Sequence, residues 1–452
     1  MNPINVKLSY YLLLIVNHLQ RLSFIPRLQQ FAESLVQKLN LDRLDFLVPY
    51  DIEKRTMKII LSILIFTTLS IQAAPKPLKV YLLAGQSNMQ GHAAERTLEH
   101  LGMDPKTAPM LKEIYNADGT AKLHQNIWIS SVESSLESGE KHGQLTVGYG
   151  AGGRESKIGP ELMFGITMQK HIGEPILLIK TSWGGKSLNL DFRSPSAGPY
   201  EFNKQQLENF KKRHKDVNKA RKEKNERTGV YYRLMLEHIH KVLGDIQRVY
   251  PDYDAKAGYE LAGFVWFQGW NDMVDSSTYP MRGQPGSYDA YSKNLAHFIR
   301  DVRRDLKSQK LPFVIGVMGA GGPIAKYSPD QKRYAGIHGE FRKAMAAPAY
   351  LPEFKDNVRA VFTEDYWDLQ LSELVNRKGK SKAKQRELSK DQTLSREQRD
   401  KALASYNDRL FTKQELKILQ TGASNAAYHY LGSAKILAQI GNAFARAMAK
   451  ME

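Results

Sequence analysis

Lys79-Val-Tyr-Leu-Leu-Ala-Gly-Gln-Ser-Asn-Met-Gln-Gly91 opens as an uninterrupted apolar run and breaks into a turn that carries one serine among amide and glycine residues. The run reads as a buried strand. A hydroxyl at the end of such a strand is held by rigid scaffold on one side and opens to solvent on the other, which suits Ser87 to the part of a nucleophile. Taken alone, the same residues serve equally as an ordinary strand-to-helix turn in which Ser or Asn caps the helix.

Outward from this stretch, short β-rich apolar runs alternate with amphipathic ones, the pattern of an α/β fold with a mainly parallel sheet. Strands are predicted at Lys79 to Ala84, Ile127 to Val132, Pro175 to Thr181, Ala262 to Gln268, Pro312 to Met318 and Val358 to Thr363. Helices are predicted at about Pro160 to His171, Tyr231 to Val249, Tyr288 to Leu306, His338 to Ala346 and Leu431 to Met448. Three strands end in polar, glycine-containing turns: Gly85-Gln-Ser-Asn88, Ser182-Trp-Gly-Gly185 and Gly269-Trp-Asn-Asp272. Ligand crevices in such sheets lie at the carboxyl ends of the strands, so these turns are expected to converge.

The chain of 452 residues is 42% hydrophobic and 25% charged, with no cysteine, which excludes disulfides and thiolate chemistry. Its formal charge of +18 favours anionic partners without naming one. Much of the excess lies in two charged stretches, about 200–228 and 375–405, read as helical insertions with solvated faces. They hold few aromatics among their basic residues, so no nucleic-acid partner is expected.

Met57-Lys58, the 13 apolar or hydroxyl residues from Ile59 to Ile71, and Gln72-Ala-Ala-Pro75 have the three parts of a signal peptide. The apolar core is short of the ~20 residues a membrane span needs, so no stable span is expected after cleavage. Residues 57–74 are therefore read as a signal peptide for export, periplasmic or secreted. Residues 1–56 are read as an over-extended start or an amphipathic arm, and 75–452 as the functional domain.

Ester hydrolysis through a serine needs a base and donors for the developing oxyanion. His429, just before the last predicted helix in Tyr428-His-Tyr-Leu-Gly-Ser-Ala-Lys435, has the position of a base, although a histidine near a helix start is often structural. Backbone amides at Ser87 and at Gly184 or Gly185 would serve the oxyanion, since glycine lets the backbone approach a ligand closely. Asn271 adds an amide donor, unless it only stabilises its own turn. Trp183 and Trp270 sit at strand ends where a ring could pack against a sugar, whereas Trp266 alternates with core positions. Arg193 is placed to meet an anionic sugar or to pair with Asp191. No metal or cofactor motif stands out: Lys180 occupies the glycine position of a would-be phosphate loop, and His238 and His240 diverge on a helix.

The ordered set Gly85-Gln-Ser-Asn-Met89, Gly159-Pro-Glu-Leu162, Thr181-Ser-Trp-Gly-Gly-Lys-Ser187, Trp266-Phe-Gln-Gly-Trp-Asn-Asp272 and His429 resembles the SGNH hydrolase superfamily. In particular it is similar to the sialate O-acetylesterase-like domain and carbohydrate esterase family six. The resemblance spans about Lys79 to Met448. It implies a three-layer α/β/α sandwich, SGNH or flavodoxin-like, and a serine esterase that removes O-acetyl groups from a polysaccharide or sugar, with an anionic glycan as a further option. It assigns Ser87 as nucleophile, His429 as base, and Ser87, Gly184, Gly185 and Asn271 to the oxyanion hole. Gln86, Gln268, Trp183, Trp270 and Arg193 become substrate-binding candidates. Two departures stand out: Ala426 occupies the place, three residues before the histidine, where many members carry Asp, and Trp270 replaces the Glu of Gln-Gly-Glu. Either the site is then a Ser-His dyad, or an acid from elsewhere orients His429, with Asp272, Glu364, Asp365 and Asp368 as candidates. The alternative is a carbohydrate-binding protein of the same fold with little or no turnover.

Overall fold

Nine strands are present in the computed structural model, which describes residues 76–132 and 139–452. They are β1 (Leu78–Gly85), β2 (Ala93–Ala94), β3 (His124–Val132), β4 (Glu140–Leu145), β5 (Lys157–Ile158), β6 (Ile176–Ser182), β7 (Tyr259–Phe267), β8 (Phe313–Val317) and β9 (Val358–Phe362). The readings of 1–56 and 57–74 fall outside the described residues. Seven strands form one sheet in the order β4-β3-β6-β1-β7-β8-β9, in which only the β3–β4 pair is antiparallel. The six predicted strands are all found. Their apolar runs are continuous because helices cover both faces of the sheet, leaving no solvated side to call for polar alternation.

Side chains on β7 show the two layers directly. Phe264 and Trp266 point to one face, where both rings meet Phe298 on the helix Asp289–Asp305, at 5.9 and 4.4 Å between centroids. Phe267 points to the other face and meets Phe444 of the last helix, Ala434–Ala449, at 5.3 Å. The helix Val230–Gly244 joins the first layer through Tyr232 against Phe298, and Glu161–Ile172 joins the second through Phe164 against Tyr81. The fold is therefore α/β, a three-layer α/β/α sandwich. Each wholly buried aromatic here contributes roughly 1.5–3 kcal/mol by leaving water.

Two elements differ from expectation. β4, Glu-Lys-His-Gly-Gln-Leu, is an edge strand that pairs only with β3, so its polar composition suits one exposed side and hides it from a search for apolar runs. The last helix begins at Ala434, three residues later than predicted, because Tyr430 and Leu431 have φ of +50° and +61°. The charged stretches are helical: Lys204–Lys212 and Val217–Arg227 in the first, Leu369–Lys390 and Arg396–Leu410 in the second. Among the described residues no helix is long and apolar enough to cross a membrane.

The topology fixes where a site can form. Central β1 lies between β6 and β7, with Gly85 level with Ser182 on one side and Phe267 on the other. The three polar turns thus leave the sheet side by side at its carboxyl edge.

Candidate active site

Gly85 ends β1 where a side chain has no room, since a Cβ there would lie 2.1 Å from the Phe267 carbonyl oxygen. The chain then turns into a single helical turn, Ser87–Gln90, closed by the amides of Met89 and Gln90 donating to the Gln86 carbonyl at 2.8 and 2.9 Å. Ser87 is 7% exposed, and its hydroxyl makes no hydrogen bond among the described residues. Its amide donates to no acceptor among them either, as expected at a helix N-terminus.

Beneath this turn lies an ion pair that no functional reading required. Lys180 on β6 donates to the Gln90 carbonyl at 2.7 Å, the Tyr149 carbonyl at 2.7 Å and Glu161 Oε2 at 2.8 Å, while Glu161 Oε1 accepts from the Gly159 amide at 2.8 Å. Both side chains are buried. Burial pushes Glu161 up and Lys180 down, each shift opposed by the partner's charge. The ammonium has three donors and three acceptors, so it is saturated and acts as a rivet between β6, the Ser87 turn and the 148–151 loop.

Gly184 follows β6 and stands against the Ser87 turn: a Cβ on it would lie 3.9 Å from the Ser87 Cβ and 3.1 Å from Gln90 Oε1. Gly185, at φ +73°, is surrounded by open space. The amides of both glycines lack an acceptor among the described residues. Asn271, on the turn after β7, gives its backbone amide to Gln86 Oε1 at 3.4 Å and leaves its side-chain amide unengaged among the described residues.

His429 sits half-buried in the turn Ala427–Gly432, which packs against the Ser87–Gln90 helix. Asn425 Oδ1 accepts from the Ala426 amide at 2.8 Å and lies 3.1 Å from His429 Nδ1. A backbone amide only donates, so the atom at that point is the Asn425 oxygen, and His429 Nδ1 must carry a proton. Nε2 then holds the free lone pair. Burial, with a smaller effect of nearby Lys157, pulls His429 down to about 4, so the ring is neutral at pH 7. A second histidine, His92, stacks on it with centroids 4.1 Å apart and planes 4° from parallel, and is itself pulled down to about 3 by burial and then by His429.

The turn holding His429 is strained. Non-glycine residues at positive φ cost about 1–3 kcal/mol each, and here two occur in a row. Tyr430 secures them: its buried hydroxyl accepts from the Gly319 amide at 2.8 Å and donates to Thr363 Oγ1 at 2.5 Å, Thr363 passing its own proton to the Val317 carbonyl. Leu431 closes the loop by accepting from the Ser424 and Asn425 amides.

Several sequence-based assignments change. Asp272 does not meet His429; fully buried, it accepts from the Leu188 and Asn189 amides at 2.7 and 2.9 Å, Gln268 Nε2 at 2.6 Å and the Tyr279 hydroxyl at 3.3 Å. It braces the loops after β6 and β7, and burial pushes it up to about 6 against those hydrogen bonds. Glu364 pairs with Arg342, Asp365 is exposed, and Asp368 caps a helix and pairs with Lys435, so none orients the histidine. Asn425 does. Gln86 and Gln268 are 1% and 2% exposed and bond to each other and to the neighbouring turns, which makes them struts rather than sugar ligands. Arg193 spends its guanidinium on the carbonyls of Gly198, Asn189 and Ala197 and the side chains of Asn189 and Asn294, and it does not pair with Asp191. Trp183 is buried against Phe192 and Tyr231. Only Trp270 of the proposed platforms stays near the surface, its ring 5.6 Å from that of exposed Tyr428, which in turn meets His429 at 4.4 Å. Sequence reasoning missed Asn425, His92 and Tyr428; Asn425 lies one residue before the position at which an acid was sought.

The Ser87 turn, the neutral imidazole of His429 and the unengaged amides lie at one sheet edge, and the class of this protein is that of the carboxylic ester hydrolases. Residues 77–346 match the model of the family described as SASA, carbohydrate esterase, sialic acid-specific acetylesterase, and the chain belongs to that family. The matched stretch contains Ser87, Gly184 and Asn271 and ends before Asn425 and His429. Among solved structures, one from Arabidopsis thaliana is 15% identical, with 64% of this chain and 86% of that one covered at a TM-score of 0.34. A carbohydrate acetylesterase from Xanthomonas citri is also 15% identical, with 63% of this chain and 49% of that one covered at a TM-score of 0.33. No curated protein matches the sequence.

Proposed function

We propose that the protein is an exported serine esterase that removes acetyl groups from a carbohydrate, with Ser87 as nucleophile and His429 as base. The observation that carries the reading is the pairing of an unengaged Ser87 hydroxyl with a histidine whose Nε2 is free, on elements packed against each other. His429 Nε2 takes the Ser87 proton as Oγ attacks the acetyl carbonyl. The amides of Ser87 and of Gly184 or Gly185, with the Asn271 side chain, hold the oxyanion. Collapse breaks the bond to the sugar oxygen, which leaves as a hydroxyl by taking the proton from His429 Nε2, and water then releases acetate from Ser87 by the same steps in reverse roles. Asn425 keeps the required tautomer without a carboxylate, as in the Cys-His-Asn version of this arrangement.

Purified chain beginning at Pro75 is expected to release acetate from an activated acetyl ester, and Ser87→Ala to lose this activity. Full activity in that variant would remove Ser87 from the role. A second reading, a sugar-binding protein with little turnover, draws support from the neutral partner at Nδ1, since no charge stabilises the imidazolium. Glycan binding without acetate release would favour it. Export rests on the signal-like residues 57–74, and an intact N-terminus upstream of Ala74 in the mature protein would argue against it.

A further inference from the structure

The first charged insertion forms an open concavity of about 920 Å³ between the helices Lys204–Lys212 and Val217–Arg227. Five basic side chains line it, Arg213, Lys215, Lys219, Lys224 and Arg227, and none has an ion-pair partner among the described residues. Of the three acidic residues in the lining, Asp216 is spent as a helix cap, accepting from the Asn218 and Lys219 amides at 2.8 and 3.1 Å. Asp216 keeps its charge while capping, and Glu223 and Glu226 keep theirs, so five cations stand against three carboxylates and the cavity holds a surplus of two positive charges. Unpaired cations gathered around one concavity focus the field there and draw anions into it.

The place of the cavity narrows the ligand. Ser277, in its wall, belongs to the segment that leaves the carboxyl end of β7 after Asn271. Asn203, at the head of the first insertion helix, donates to the Ser277 and Thr278 carbonyls at 2.8 and 3.2 Å, and the Tyr200 and Thr278 hydroxyls lie 3.2 Å apart. The insertion is thereby fastened to the sheet edge that carries the Ser87 turn. Phe202 and Phe210 form its apolar wall but meet edge to face at 4.9 Å, while Lys224 covers the Tyr200 ring at 4.8 Å. No open pair of ring faces is offered for stacked bases, which weighs against single-stranded nucleic acid.

We propose that this cavity is a subsite for the anionic groups, sulfate esters or uronate carboxylates, of a glycan chain whose acetylated residue lies at Ser87. It rests on the esterase reading only for the expectation that the ligand is a glycan. Its test is a binding measurement that needs no turnover. Titration of the full chain carrying Ser87→Ala with a sulfated galactan oligosaccharide, an oligogalacturonate and a neutral xylo-oligosaccharide should show binding of at least one anionic probe. That binding should weaken with added salt, and the probe preferred identifies the anion. Adding Lys219→Gln with Arg227→Gln, or Arg213→Gln with Lys215→Gln in the linking turn, should weaken it about tenfold. Arg221→Gln with Lys222→Gln removes the same charge outside the lining and should leave it unchanged. The subsite is refuted if neither anionic probe binds, if the neutral one binds as tightly, if the outside pair costs as much, or if an oligonucleotide outcompetes both. Acetate release from an activated ester by the unsubstituted chain tests the esterase reading separately.

Discussion

Asn425 does by hydrogen bonding what an aspartate does by hydrogen bonding and charge together, and the two contributions separate in a pH profile. It fixes the proton on Nδ1 of His429 but supplies no negative charge to hold the ring's affinity for a second proton, so burial carries that affinity down to about 4 from the ordinary 6.5. In the proposed mechanism the neutral ring is the active form, so activity should fall only as pH drops through about 4. Asn425→Asp places a carboxylate on Nδ1 and should move this acid limb upward by about 1–3 units. Asn425→Ala removes orientation and should cost about 10²-fold in kcat at pH 7 with KM little changed. Asp272→Asn should leave the acid limb in place, because Asp272 braces two loops and does not touch the histidine. Rate measurements from pH 3.5 to 8 on an activated acetyl ester check all three.

Elements decide how far such a site can be read from sequence. β1, β6 and β7 were legible because strands covered on both faces must be apolar throughout, and their polar turns stood out by contrast. The turns carrying Ser87, Gly184 and Asn271 were legible for the same reason, and the turn of His429 by its place before the last helix. The struts were not: a buried Gln86 or Asp272 has the same letters as an exposed one, and only the fold shows that its hydrogen bonds are consumed by backbone amides and buried side chains of the neighbouring turns. The orienting Asn425 was hidden because its role depends on a turn with two left-handed residues, which local propensity disfavours and tertiary contacts impose. Tyr430 is the contact that imposes it. Tyr430→Phe would strip the Gly319 amide of its acceptor in a buried place and cost about 1–3 kcal/mol. If the turn relaxes as a result, kcat falls further than the loss of stability explains, as urea melts and kinetics on the same preparation would show. The Lys180–Glu161 rivet makes a sharper case. Lys180→Met leaves a buried carboxylate unpaired and should cost about 3–5 kcal/mol, with the Ser87 turn the first segment to lose amide-exchange protection.

Across the whole molecule the buried histidines set an acid limit that differs from that of catalysis. His92, His100, His124, His238, His338 and His429 are all pulled below their ordinary value of 6.5 by burial, to about 3 for His92 and about 4 for His238, His338 and His429. In the unfolded chain each regains an ordinary affinity, so between about pH 6.5 and 4 the unfolded state binds more protons than the folded one. Stability must then rise with pH across that window and fall on acidification. Glu140 and Glu415, held near 2 by their Arg and Lys partners, act in the same sense but only below the ordinary carboxylate value of 4.5. Asp272, raised to about 6, opposes them as a single group. The net slope is set by the histidines, which are spread over both helical layers and the site. His238 offers the cleanest handle: Ser130 Oγ gives its proton to Glu140, so the His238 Nε2–H 2.8 Å away donates to Ser130, far from Ser87. Urea denaturation at pH 7, 6 and 5 should show stability falling at each step, while kcat at 25 °C changes little over the same range. His238→Gln should flatten the fall between pH 6 and 5, and an unchanged slope in that variant would mean that burial does not hold the histidine neutral.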